Sequence, residues 1–439
     1  MNPESLEVAV VGAGIAGLSA ARELQRCGHR VQIFEAAPRV GGHTYTLEVD
    51  DRGRKLAIDL GFIVYNNRTY PNFVRLLDEL GVATEPSSMS FSVRCETTGL
   101  EYCGSSLAQL FVQKRNLLSP RFYRMLAGIL RFHRRAAADL LEADPGLTLR
   151  EYLERAGFRG PFVDLYLLPM SSAIWSTPPQ GMLDFPARTL AHFLHNHGML
   201  QVKDRPQWRV IRGGSQRYVE KLVASLEAGG AELHCGSRIE GIRRHRDGAE
   251  LPRVEIASGG RRRQFDALVL ATHSDTALGL LDDPSPAERQ ILGALPYADN
   301  DVVLHTDRSF LPRHRAAWSS WNYHLPRQKA EKTQLTYAMN ILQNLPTETP
   351  FCVTLNRSAE IDPRKIVHRL TMAHPQFTTA GLAAQERWSE LTAGRTFFAG
   401  AYWFFGFHED GVRSGLRAAA AVDAAKARLL AGRAALVTA

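Results

Sequence analysis

The runs VAVV at 8–11 and VQIFE at 31–35 bracket a stretch in which glycine falls at positions 12, 14, 17 and 28. Short apolar runs of this kind predict buried strands. The small and apolar positions between them predict a helix over about Gly14–Cys27 that stops at a turn on Gly28. Further along, SFSVRCETTGLEYCG (90–104) places two strand-like runs around a turn and predicts a hairpin. Ser119 and Pro120 suit the N-cap and first position of a helix. In that helix Phe122, Leu126, Ile129 and His133 recur at helical spacing, while Arg121, Arg124, Arg131 and Arg135 form a stripe on another side. DVVLHTD (301–307), AAWSSWNYH (316–324), QLTYAMNILQNL (334–345) and PFCVTLNR (350–357) read as strands joined by proline-marked turns.

The N-terminal pattern carries chemistry. Gly12 permits the tight turn after the first strand, Gly14 lets backbone amides approach a pyrophosphate, and Gly17 lets helix and strand pack closely. The helix N-terminus offers oriented N–H groups and partial positive charge to phosphates. Glu35, closing the second strand, can accept from both hydroxyls of an adenosine ribose and would repel a 2′-phosphate, which disfavours NADP. Arg39, Gly41 and Gly42 follow Glu35 by four, six and seven residues. A second glycine pair there suits a longer dinucleotide whose pyrophosphate and ribityl chain pass bare backbone, so FAD is expected rather than NAD.

Bulk properties narrow the class. With 439 residues, 45% hydrophobic and 22% charged, the chain is globular, and no apolar run is long enough to cross a bilayer. MNPESLE lacks the basic and apolar regions of a signal peptide, so a cytoplasmic protein is expected. The net charge of +8 is compatible with an anionic membrane surface, and the basic amphipathic helix near 120–137 would be the contact, peripheral on the inner face. No nucleic-acid-binding motif is present. The five cysteines are scattered and never spaced CxxC, which suggests neither a disulfide framework nor a zinc site.

Together these residues resemble the flavin amine oxidoreductase superfamily, which includes monoamine oxidases, protoporphyrinogen oxidases and phytoene desaturases. Glu35, Arg39, Gly41 and Gly42 match that family's ExxxRxGGR continuation, with His43 in place of the last arginine. IDLGFIVYN (58–66), with Gly61, resembles its next strand, which approaches the flavin. VIRGGSQRYVEKL (210–222) resembles the turn and helix by which the chain returns to the FAD domain. AELHCGSRIEGIRR and FDALVLATH resemble the strands that follow, with Ile239 near the adenine. RTFFAGAYWFFGFHEDGVRSGLRAA resembles the C-terminal flavin motif, in which Gly400 ends a strand and the backbone of Asp410, Gly411 and Val412 faces the flavin N1 and O2 edge. The resemblance implies an α/β FAD-binding Rossmann-like domain of the glutathione reductase type, formed by 1–62, 207–285 and 390–439. A discontinuous α+β substrate domain would comprise 63–206 and 286–389.

Three positions depart from the family pattern. Ala401 stands where an acid commonly follows Ala-Gly, Asp301 where amine oxidases place a lysine, and Phe407 where their aromatic cage often has tyrosine. Trp318, Trp321, Tyr323, Tyr337, Asn340 and Phe407 are the candidate pocket lining. An aromatic pocket without a carboxylate pair suits a hydrophobic, lipid-like substrate that gives up a hydride to FAD in the manner of the desaturase branch. His408 and Glu409, then Asp301, are the candidate bases. His408, Glu409 and Asp410 can equally cap the helix and hold the loop, and three consecutive residues at a helix start do not converge on a metal ion. Amine oxidation is the alternative, and a non-catalytic FAD-bound scaffold a further one.

Overall fold

The computed structural model describes residues 5–201, 205–246, 249–328, 330–392 and 394–434. Residues 1–4, on which the N-terminal reading partly rests, lie outside it. At its centre is a five-stranded parallel sheet in the order Glu232–His234, Arg30–Phe34, Glu7–Val11, Ala267–Leu270 and Thr396–Phe398. Its middle strands are buried on both faces, which is why VAVV and ALVL are unbroken apolar runs rather than alternating ones. The helix Ile15–Arg26 follows the first strand and buries Leu18 and Leu24 against it. A three-stranded antiparallel sheet, Ile239–Arg246, Ala249–Ser258 and Arg261–Phe265, lies beside it.

The second large sheet has seven strands, ordered Ile366–Pro375, Tyr297–His305, Cys352–Leu355, Leu335–Ala338, Trp321–Leu325, Phe91–Cys95 and Glu101–Cys103. The hairpin expected over 90–104 forms its far edge, pairing Ser92 with Cys103. It joins the rest through a parallel pairing of Phe91 with Trp321. QLTYAMNILQNL is a strand only as far as Ala338; Met339–Leu342 then makes one helical turn. The ten-residue strand Ile366–Pro375 had no counterpart in the sequence reading.

The helix expected after Ser119 runs Pro120–Leu140, with the Ser119 hydroxyl accepting from the Phe122 amide. Its buried side carries Phe122, Met125, Phe132 and Ala136, so the core-facing stripe is rotated from the one drawn through Leu126, Ile129 and His133, which are half-buried. Packing does not follow the division drawn at residue 63. The helix Pro71–Glu79 puts Phe73, Leu76 and Leu77 into one core with Leu18, Leu24 and Tyr218 of the parallel-sheet unit. Among the described residues no helix is long and apolar enough to cross a membrane.

Candidate active site

A cavity of about 1230 Å³ runs from the first glycine turn, between the parallel sheet and the seven-stranded sheet. That is larger than the 300–1,000 Å³ of an ordinary ligand pocket. Gly12, Gly14, Glu35, Gly41, Gly42, Gly61, Ile239, Gly400, Phe407, His408 and Gly411 all line it.

At one end two glycine loops lie back to back. Gly12 has φ +100, and a Cβ there would come within 2.8 Å of the Ala271 carbonyl oxygen; a Cβ on Gly17 would come within 1.9 Å of the Gly12 carbonyl oxygen. Gly14 bridges to Gly41, and a Cβ on Gly42 would meet Gly14 Cα at 3.1 Å. Gly14 is the N-cap of the helix Ile15–Arg26, and no side chain caps its amides. These amides therefore remain oriented toward the cavity for an anion. The Glu35 carboxylate accepts from the Ala13 amide at 2.8 Å and the Ala37 amide at 2.9 Å, which fixes it at the cavity edge. Arg39 is not in the lining. It donates to the Gly42 and Thr44 carbonyls and lies over the Tyr45 ring, so it holds the second glycine loop from behind.

The C-terminal motif supplies the other side. The helix His408–Ala424 packs along Ile15–Arg26, and two glycines set how close it comes. A Cβ on Gly411 would lie 2.6 Å from Ile15 Cγ2, and one on Gly415 would lie 2.3 Å from the Ala16 carbonyl oxygen. Asp410 and Val412 do not reach the cavity. The Asp410 carboxylate accepts from the Phe407 amide at 2.9 Å and caps its own helix, and Val412 is core. Burial pushes the Asp410 carboxyl up to about 7.

The candidate bases separate. His408 lines the cavity, stacked on Phe62 at 3.6 Å, and its Nε2 meets the Tyr218 hydroxyl at 2.7 Å; that hydroxyl in turn meets Thr44 Oγ1 at 2.7 Å. Burial holds its imidazole well below the ordinary value. Glu409 points away and accepts from the Asn72 and Phe73 amides and from Asn72 Nδ2. Asp301 also lies outside, its carboxylate 3.8 Å from Arg369 Nε. Side chains alternate along a strand, and it is the preceding Asn300, 2% exposed, that faces inward to His374. Of the candidate lining, Trp321, Tyr337 and Phe407 border the cavity. Trp318 is turned away with its indole N–H donating to the Pro312 carbonyl, Tyr323 is core beside Val93 and Leu335, and Asn340 holds the Thr347 and Thr349 carbonyls.

Between the two ends stands a group that the sequence reading did not assign. His43, His273 and His374 all line the cavity, with the His43 ring centroid 5.7 Å from His273 and 5.6 Å from His374. His273 stacks on Tyr297 at 4.1 Å. His43 Nε2 lies 2.9 Å from the Ala373 carbonyl oxygen, which can only accept, so the neutral ring carries its proton on Nε2 and keeps a lone pair on Nδ1. Asn300 Nδ2 donates to His374 Nδ1 at 3.1 Å, which leaves the His374 proton on Nε2. Burial, then mutual repulsion, holds His43 at about 4 and His374 at about 3, and His273 is lowered for the same first reason. A signal did exist for His374: Ile366, His368, Leu370, Met372 and His374 alternate as one face of a strand.

A model of the flavin containing amine oxidoreductase family matches residues 15–356. The chain belongs to this family. FAD is its cofactor, and the paired glycine loops, the uncapped helix N-terminus and Glu35 are the groups that would hold the dinucleotide. The putative flavin-containing monoamine oxidase AofH of Mycobacterium tuberculosis is 28% identical over 66% of this chain and 62% of its own. The 15-cis-phytoene desaturase of Solanum lycopersicum is 25% identical over 62% of this chain and 47% of its own. The match thus spans about half to three fifths of these relatives. Cyclohexylamine oxidase from Brevibacterium oxydans shares the fold, with a TM-score of 0.67 over 96% of this chain and 99% of its own at 17% identity. The fold is accordingly that of the FAD-dependent amine oxidases, a Rossmann-like FAD unit with a substrate unit.

Proposed function

We propose that the chain uses FAD to take a hydride from an activated carbon of a hydrophobic, lipid-like substrate, a desaturase or dehydrogenase reaction. One observation carries the reading. Among the described residues the acidic side chains in the cavity lining are Glu35 and Glu240, both at the dinucleotide end, while the substrate end is walled by Phe91, Tyr102, Met170, Trp175, Trp321 and Phe377. An ammonium group entering that end would lose its hydration without gaining a carboxylate partner among the described residues; an acyl chain would lose nothing.

Bound flavin supplies the two-electron acceptor. The aromatic walls exclude water and orient the reacting carbon. The proton that leaves with the new double bond goes to the lone pair on His43 Nδ1, with the His374 ring centroid 5.6 Å from that of His43. Amine oxidation is the second reading, supported by the names of AofH and of cyclohexylamine oxidase and by the neutrality of the site. Anaerobic incubation with a membrane lipid extract and with an amine panel separates the two. Bleaching of the flavin by lipid is expected, and bleaching by simple amines alone overturns the proposal. A flavoprotein that neither class bleaches would stand as a scaffold.

A further inference from the structure

Six large apolar side chains are exposed among the described residues, and five of them fall within residues 107–130: Leu107, Leu117, Leu118, Tyr123 and Leu130. Leu118 is 88% and Leu107 76% exposed. They are held together by local structure. Ser106 caps the short helix that begins with Leu107, and Leu117 and Leu118 end the turn Lys114–Leu118. Tyr123 donates its hydroxyl to the Leu117 carbonyl at 3.1 Å, and its ring lies 6.1 Å from that of Phe111. Tyr123 and Leu130 are two turns apart on one face of Pro120–Leu140.

Along the chain the charge of this segment has one sign. Between Glu101 and Asp139 the chain has no acidic residue, but it has Lys114, Arg115, Arg121, Arg124, Arg131, Arg134 and Arg135. These cations are not uniform in use: Arg131 donates to the Ala156 carbonyl, Arg135 pairs with Asp139, and Arg115 donates to the Gly99 carbonyl. Lys114, Arg121 and Arg124 make no hydrogen bond or ion pair among the described residues, though the charge of Arg121 is felt by Asp164. The patch also adjoins the cavity. Exposed Gly104 and Ser105 line it, and Leu107 follows two residues later.

We infer that residues 105–130 dock on an anionic lipid bilayer, with the leucines entering the acyl boundary and Lys114, Arg121 and Arg124 meeting the headgroups. Exposed apolar side chains ringed by cations are the pairing that such a surface selects, and docking there turns the Gly104–Ser105 mouth toward the acyl chains. The purpose of the surface rests on the lipid-substrate reading; its existence does not.

The test is co-sedimentation of the FAD-loaded protein with vesicles of phosphatidylcholine alone or containing one quarter phosphatidylglycerol. Binding to the anionic vesicles is expected. Leu107→Ser with Leu118→Ser should weaken it at least tenfold, and Lys114→Gln, Arg121→Gln and Arg124→Gln together should weaken it several-fold and flatten its salt dependence, all with unchanged flavin absorbance. Unchanged binding in the leucine variant overturns the proposal. So does a dimer that this variant converts to monomer without vesicle binding by the parent, which makes the patch a protein interface. Vesicle binding together with a lipid extract that fails to bleach the flavin keeps the surface and removes the substrate reading.

Discussion

Glu409 accepts a hydrogen bond from the Phe73 amide at 2.9 Å, and so closes the N-terminus of the helix Pro71–Glu79 from 336 positions away. Tyr70, the local N-cap, supplies no side-chain bond, so a residue of the C-terminal motif does that work. Glu409→Ala should therefore lower stability by about 2 kcal/mol, as expected for a lost cap with charge-assisted bonds, while the rate of flavin reduction stays unchanged. Denaturant unfolding and stopped-flow absorbance check the two halves.

Gly415 sets the distance between the two helices of the dinucleotide unit, since a side chain there would strike the Ala16 carbonyl oxygen. Gly415→Val should cost about 3 kcal/mol as an overpacked contact and release FAD, because the strain falls on the helix that begins at Gly14. Flavin absorbance after gel filtration reads the loss.

His43→Asn tests the lone pair on His43 Nδ1. Removing a positioned general base lowers a rate by about 10²- to 10⁴-fold, and flavin reduction by substrate should fall within that range at unchanged FAD content. His408→Asn should leave the rate near the parent's, since Tyr218 and Phe62 hold that ring as a packed element.

Asp410 and the cavity histidines give pH dependences of opposite direction. Asp410 is raised from 3.8 to about 7, so the folded state binds the extra proton. Its contribution is fully present below pH 3.8 and is lost as pH rises through 7. Asp410→Asn should then be more stable than the parent at pH 8 and lose that advantage by pH 5. His43 and His374 are lowered from 6.5 to about 4 and about 3. Their contribution is present above pH 6.5 and is lost as pH falls toward 4. His374→Gln, which keeps an acceptor for Asn300, should flatten the acid side of the curve. Unfolding midpoints from pH 4 to 8 resolve both slopes.

Local chemistry made much of the dinucleotide end legible. Gly12, Gly14, Gly17 and Glu35 stand in a strand–turn–helix–strand order whose contacts span a few dozen residues, and at Gly12 and Gly17 glycine is needed for reasons of φ and clearance that any such turn shares. Ser119 and Pro120 started a helix for equally local reasons. Legibility failed where a side chain's direction depended on a partner far along the chain.

Asp301 and Asn300 are neighbours, and only the register of Tyr297–His305 against Ile366–Pro375 decides which of them faces His374. Glu409 stands beside His408 in the chain, yet its carboxylate is taken up by the start of the helix Pro71–Glu79. His43 and His374 are 331 positions apart in the chain, and what joins them is the packing of one sheet against the glycine loop. The sequence by itself determined that a flavin dinucleotide could be cradled at the N-terminus. Only the tertiary structure decided which ionisable groups face the cavity, because burial and neutral protonation states come from long-range packing and not from spacing.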